Sequence, residues 1–68
     1  MEELRFEGTM LCKGDAETGI IEVADKHCGI IRFPLMVGSS FDRVYKGRQY
    51  TISRPDDHSF NITAKLAA

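Results

Sequence analysis

A chain of 68 residues has room for one domain, and a domain this short buries only roughly 60% of the surface its unfolded chain exposes. Its composition, 43% hydrophobic and 28% charged, is that of an ordinary globular protein and excludes a disordered one. Nine basic residues against ten acidic ones give a net charge of -1, without the basic excess that advertises a nucleic-acid binder, although a local basic patch is compatible with a neutral total.

The first segment runs from Leu4 to Cys12. Leu4, Phe6, Met10 and Cys12 share one parity and Arg5, Glu7, Thr9 and Lys13 the other, with Leu11 as the exception; such alternation marks a half-buried strand. Gly8 sits in the middle of it, where a glycine signals a bulge or sharp bend. Lys13 to Glu17 is a turn by composition, and a second strand is expected from Thr18 to Ala24. After a turn at Ala24-Asp25-Lys26-His27, a third strand is expected from Gly29 to Met36. Pro34 lies inside it and lacks the ladder donor, so this strand must lie at an edge, or bend or end there.

Gly38-Ser39-Ser40 changes the pattern. Phe41, Val44 and Tyr45 stand at helical spacing, Ser39 or Ser40 can cap, and Gly47 can close, which predicts a short helix or 3₁₀ turn. A fourth strand follows over Arg48 to Arg54, then a turn at Arg54-Pro55-Asp56-Asp57-His58. The fifth strand, Ser59 to Leu66, carries the cleanest alternation, with Phe60, Ile62, Ala64 and Leu66 on one side. Three strands, a helical insertion and two strands form the order of an OB-type, five-stranded Greek-key barrel; an SH3-like barrel is less expected with a helical turn at that point. The prediction is therefore an all-β single domain over residues 1–68, a small OB-like barrel with a short helical turn between strands three and four.

Gly8-Thr9-Met10, Gly19-Ile20-Ile21 and Asn61-Ile62-Thr63-Ala64 resemble segments of the first, second and last strands of the bacterial cold-shock domain. Lys46-Gly47-Arg48-Gln49 is similar to the opening of that family's fourth strand, and Glu7-Gly8-Thr9 is similar to the start of initiation-factor-one-like barrels. The resemblance is to OB-fold barrels that bind single-stranded RNA and DNA. The chain departs from the family at its stacking platform: Cys12, Lys13 and Ile20 stand where aromatics are expected, and only Phe33 matches. Base stacking contributes roughly 1–3 kcal/mol per base, so the resemblance implies weak binding. Lys13, Arg32, Phe33 and Arg48 are the expected nucleic-acid contacts, with Phe33 stacking and the cations on phosphates. Against this, Phe33 suits a core at least as well, Tyr50 and Phe60 alternate with polar neighbours and read as core, and Lys13, Lys26, Arg32, Lys46, Arg48 and Arg54 are interspersed with acids as ordinary solvated charge.

No catalytic constellation is present: there is no phosphate-cradling glycine loop and no nucleophile–base pair, so no enzyme and no cofactor are expected. Cys12, His27, Cys28 and His58 supply zinc-ligand types, but His27 and Cys28 are adjacent and no C-x₂-C or H-x₃₋₅-H pair exists, so no metal is expected. Asp56-Asp57-His58 reads as turn chemistry. No apolar run is long enough for a membrane span, and the acidic start Met1-Glu2-Glu3 lacks the features of a signal peptide, so a cytoplasmic protein with reduced cysteines is expected. The expected partners are single-stranded RNA or DNA, with a protein partner or a second copy of the chain as the alternative.

Overall fold

In the computed structural model, which describes residues 1–25 and 27–66, the chain is all-β. Its elements are β1 (Glu2–Phe6), β2 (Thr9–Gly14), β3 (Ile20–Asp25), β4 (Gly29–Pro34), β5 (Ser40–Tyr45), β6 (Arg48–Ser53) and β7 (Asn61–Leu66). They form two antiparallel sheets, a four-stranded one in the order β1-β2-β3-β4 and a three-stranded one in the order β5-β6-β7.

The all-β expectation holds, and three of its details are corrected. The expected first strand is two strands, because Glu7 and Gly8 both take positive φ (49° and 83°) and fold the segment into a hairpin. Positive φ at both central residues is the backbone of a type I′ turn, whose twist matches that of the flanking strands. The bulge lies three residues beyond Gly8: Leu4 pairs with Cys12 and Arg5 with Met10, leaving Leu11 as the extra residue. Leu11 and Cys12 are consequently both buried, at 3% and 2% exposure. The parity exception at Leu11 is the sequence trace of that bulge.

The second correction concerns residues 40–45, which form strand β5 and not a helix. A helix this short must meet the cost of nucleation with very few internal hydrogen bonds. Here Lys46 and Gly47, at φ 50° and 77°, make a second two-residue hairpin that returns the chain along β6. Phe41, Arg43 and Tyr45 then share a face with the paired Ile52, Tyr50 and Arg48, while Val44 turns outward.

The third correction is to the closed Greek-key barrel. Every described pairing joins strands consecutive in sequence, so both sheets are simple meanders, and no described pairing joins one sheet to the other. β4 lies at a sheet edge and ends at Pro34, as the missing donor requires.

The sheets are held together by apolar contacts between them. Leu4, Leu11, Cys12, Ile21, Leu35, Tyr50 and Ile52 form the core, and Phe6, Phe33, Phe41 and Phe60 pack around it. Phe33 of the first sheet meets Phe41 of the second edge-on, with ring centroids 5.0 Å apart, and Phe6 meets Tyr50 in the same manner at 5.9 Å. Ile21 and Ile52 are fully enclosed, each stabilising the fold by about 1.5–3 kcal/mol.

A buried arginine ties the connecting loops to this core. Arg54, just beyond β6, donates from Nη1 to Leu35 O at 3.0 Å and from Nη2 to Ala16 O at 2.9 Å. Its own backbone N–H donates to Ser39 O and its carbonyl accepts from Gly38 N. One residue thus joins loops 15–19 and 35–39 to the end of the second sheet.

Candidate nucleic-acid interface

The residues expected to contact nucleic acid are distributed over three places. Lys13 of β2 and Arg32 of β4 both stand opposite Glu22 of β3, forming one row across the first sheet. Arg32 Nε donates to Glu22 Oε2 at 2.8 Å. Phe33, next in sequence to Arg32, takes the opposite face of the strand and packs on Phe41, so the pair presents no joint surface. Arg48 belongs to the second sheet and pairs with Glu7 at 3.2 Å. Of the wider basic set, Arg54 is buried and engaged with carbonyls, and Lys26 lies outside the described residues. Cys12 is buried and Cys28 exposed.

A different cluster is brought together by an irregularity of the first sheet. β2 and β3 pair only at Lys13–Glu22 and Gly14–Ile21. Beyond these two rungs the strands part, and the segment Met10–Cys12 leaves Ala24 without a ladder partner on that side. Arg43 of β5 reaches into the opening from the other sheet and donates from Nη2 to Ala24 O at 3.3 Å. The resulting groove, about 390 Å³, is lined by Met10, Leu11, Cys12 and Lys13 on the β2 side and by Glu22, Ala24 and Ile30 on the other. Arg43 and Tyr45 complete it. A neighbouring hollow of about 590 Å³ shares Ala24, Arg43 and Tyr45 and adds Asp25, His27, Val44 and Lys46. Both volumes fall within the range of small-ligand clefts.

The electrostatics of this cleft favour an anion. Lys13, Arg43 and Lys46 outnumber its two acids: Glu22 is paired with Arg32, while Asp25 stays ionised, its Oδ1 accepting backbone N–H bonds from His27 (2.7 Å) and Cys28 (3.0 Å). Those two bonds hold the Asp25 carboxyl below the usual carboxylate range, with nearby Arg43 adding to the effect. Among the described residues, Arg43, Lys13 and Lys46 have no carboxylate within ion-pair distance. Arg43 Nε, like Arg54 Nε, is shielded from water and has no acceptor, an arrangement that costs free energy. On the β2 wall, burial pushes the Cys12 thiol up despite the opposing pull of Arg43, so it sits there as a neutral apolar group.

Tyr45 supplies the aromatic surface. It is 38% exposed and borders both hollows. Lys46 Nζ stands over one face of its ring, 5.3 Å from the centroid, at cation–π distance. Helical spacing groups Tyr45 with Phe41 and Val44 as one apolar stripe and passes over Arg43. Had Lys46-Gly47 been taken as a hairpin turn, strand alternation would have placed Arg43 and Tyr45 on one face.

Two antiparallel meanders packed through aromatic contacts, with a cationic cleft where one ladder opens, define the class of this protein: a small all-β module with a surface groove. No protein-family model matches the chain, and no curated protein or solved structure matches it.

Proposed function

We propose that the protein is a small non-enzymatic module that binds single-stranded nucleic acid, RNA or DNA, weakly, in the cleft between β2 and β3. The supporting observation is the Arg43 guanidinium, with no carboxylate within ion-pair distance among the described residues, beside an exposed Tyr45 and flanked by Lys13 and Lys46, so that cations outnumber the neighbouring acids Glu22 and Asp25. Cations beside an aromatic ring are the two elements that sequence-tolerant single-strand binding needs. A single aromatic and three cations, set in a chain of net charge -1, account for weak binding.

The test is the anisotropy of labelled twelve-nucleotide oligothymidylate and oligouridylate, titrated with protein at several salt concentrations. Three phosphate contacts predict a slope of log affinity against log salt of roughly -2, with dissociation constants on the order of 10⁻⁴–10⁻⁶ M at physiological salt. Absence of binding at low salt contradicts the proposal.

A protein-interaction module is the second reading, favoured by β4. This edge strand carries Ile30 at 64% and Ile31 at 39% exposure, and its outer backbone groups have no described ladder partner. Such an edge invites strand addition by another chain.

A further inference from the structure

Within that proposed function, on which this inference rests, the cleft has the parts of a seat for one nucleotide unit. We infer that Arg43 takes a backbone phosphate and that Tyr45 stacks the attached base, so that the groove selects a single strand over both duplexes and base-free polyanions.

Two features of Arg43 carry the phosphate assignment. Its one hydrogen bond, from Nη2 to Ala24 O, is long at 3.3 Å, and Nε faces no acceptor although it is closed off from water. A planar guanidinium with an unmet Nε–H matches the paired oxygens of a phosphate, which take two parallel N–H bonds. An oxygen that reaches Nε must enter the opening between β2 and β3 and cannot rest on its rim. A flexible single strand can place one phosphate there; a duplex, with its phosphates fixed on a rigid cylinder, cannot.

The base assignment rests on what surrounds Tyr45. Lys46 occupies one face of the ring, and the partly exposed ring borders both hollows, where a base can meet it. Met10 and Ile30, both largely exposed, stand on opposite walls of the same groove and offer apolar edges to a planar base. A polyanion that lacks bases gains none of these contacts and retains only the charge of Arg43, Lys13 and Lys46.

Oligothymidylate anisotropy at fixed low salt, with the full chain, tests the assignment through Arg43→Gln, Arg43→Lys, Tyr45→Ala and Tyr45→Phe. Lys65→Gln, a charge-matched change on the outer face of the second sheet, serves as control. Arg43→Gln and Tyr45→Ala are expected to weaken binding on the order of tenfold each. Arg43→Lys should recover the charge and not the two-point bond, and so fall between wild type and Arg43→Gln; Tyr45→Phe should match wild type. Inorganic polyphosphate should compete less well than unlabelled oligothymidylate of equal charge, and a duplex of the same length should compete poorly. Amide spectra confirm folding, and should Arg43→Gln not fold, Arg43→Lys and the Tyr45 pair decide. If wild type binds while the Arg43 and Tyr45 variants bind like Lys65→Gln, the nucleotide seat is wrong and of the proposed function only weak nucleic-acid binding, at another surface, stands; if those variants weaken binding but polyphosphate competes equally, the cleft stands and the base seat is wrong. If wild type does not bind at all, both fall.

Discussion

Gly19 and Arg54 interlock. Gly19 holds φ at +79°, and a Cβ placed there would lie 2.7 Å from Leu35 O and collide with the Arg54 guanidinium. The close approach lets Gly19 O accept from Leu35 N at 2.7 Å while Arg54 donates to Leu35 O. Gly19→Ala therefore meets both a backbone penalty and a steric one, and is expected to cost about 2–4 kcal/mol in urea unfolding. A loss below about 0.5 kcal/mol would show that the contact relaxes freely.

Arg54 is tested by a complementary change. Arg54→Met keeps a long apolar stem but leaves the carbonyls of Leu35 and Ala16 without these donors. The expected loss is about 2–4 kcal/mol, because the buried Leu35 carbonyl and the half-buried Ala16 carbonyl then lack these partners. The same measurement on Lys65→Gln, an exposed position, should stay within about 0.5 kcal/mol of wild type.

Lys46 stands at positive φ in a two-residue hairpin, a position that asparagine fills with less strain. Lys46→Asn should raise stability by about 0.5–1 kcal/mol and at the same time weaken oligonucleotide binding, since it removes a groove cation. Strain retained at a binding residue is what such opposed effects indicate. Equal binding with raised stability would place Lys46 outside the interface.

The fold was legible wherever one physical signal acted alone. The alternation of Phe60, Ile62, Ala64 and Leu66 marks β7, and Pro34 marks the end of an edge strand. It was misleading where two signals competed. Phe41, Val44 and Tyr45 satisfy a helical period, yet Lys46-Gly47 satisfies a hairpin turn, and the turn prevailed because it aligns six rungs of ladder with β6. Of the bulge or sharp bend expected at Gly8 the chain makes the bend, a hairpin, while the bulge was written in the broken parity at Leu11. Arg32 and Phe33 are neighbours in sequence and on opposite faces in space. The groove itself depends on where β2 parts from β3, a tertiary event that no local pattern encodes.

Acid should destabilise the protein through two loop carboxylates. Asp25 and Asp56 accept backbone N–H bonds, from Cys28 and His27 and from His58 respectively, which hold both carboxyls below the usual range. A carboxyl whose folded-state pKa is lowered contributes stability that is present above its unfolded pKa and lost as pH falls through the folded value. The melting temperature should therefore drop below the ordinary aspartate range, and less steeply for Asp25→Asn/Asp56→Asn than for wild type. Parallel acid limbs for the two proteins would assign acid sensitivity to other groups.

The apolar edge of β4 is addressed by Ile30→Lys and Ile31→Lys. If that edge pairs with another copy of the chain, sedimentation of wild type should show concentration-dependent association that either lysine reduces. A wild type that stays monomeric at high concentration removes self-association as an explanation for the exposed isoleucines.

The most direct test of the binding cleft is an amide chemical-shift titration of the protein with oligothymidylate, at low and then physiological salt. Shifts concentrated at Met10–Lys13, Ala24, Ile30 and Arg43–Lys46, weakening as salt rises, are the predicted result. No shifts at low salt, or shifts confined to β4 and its loop, would contradict nucleic-acid binding in this groove.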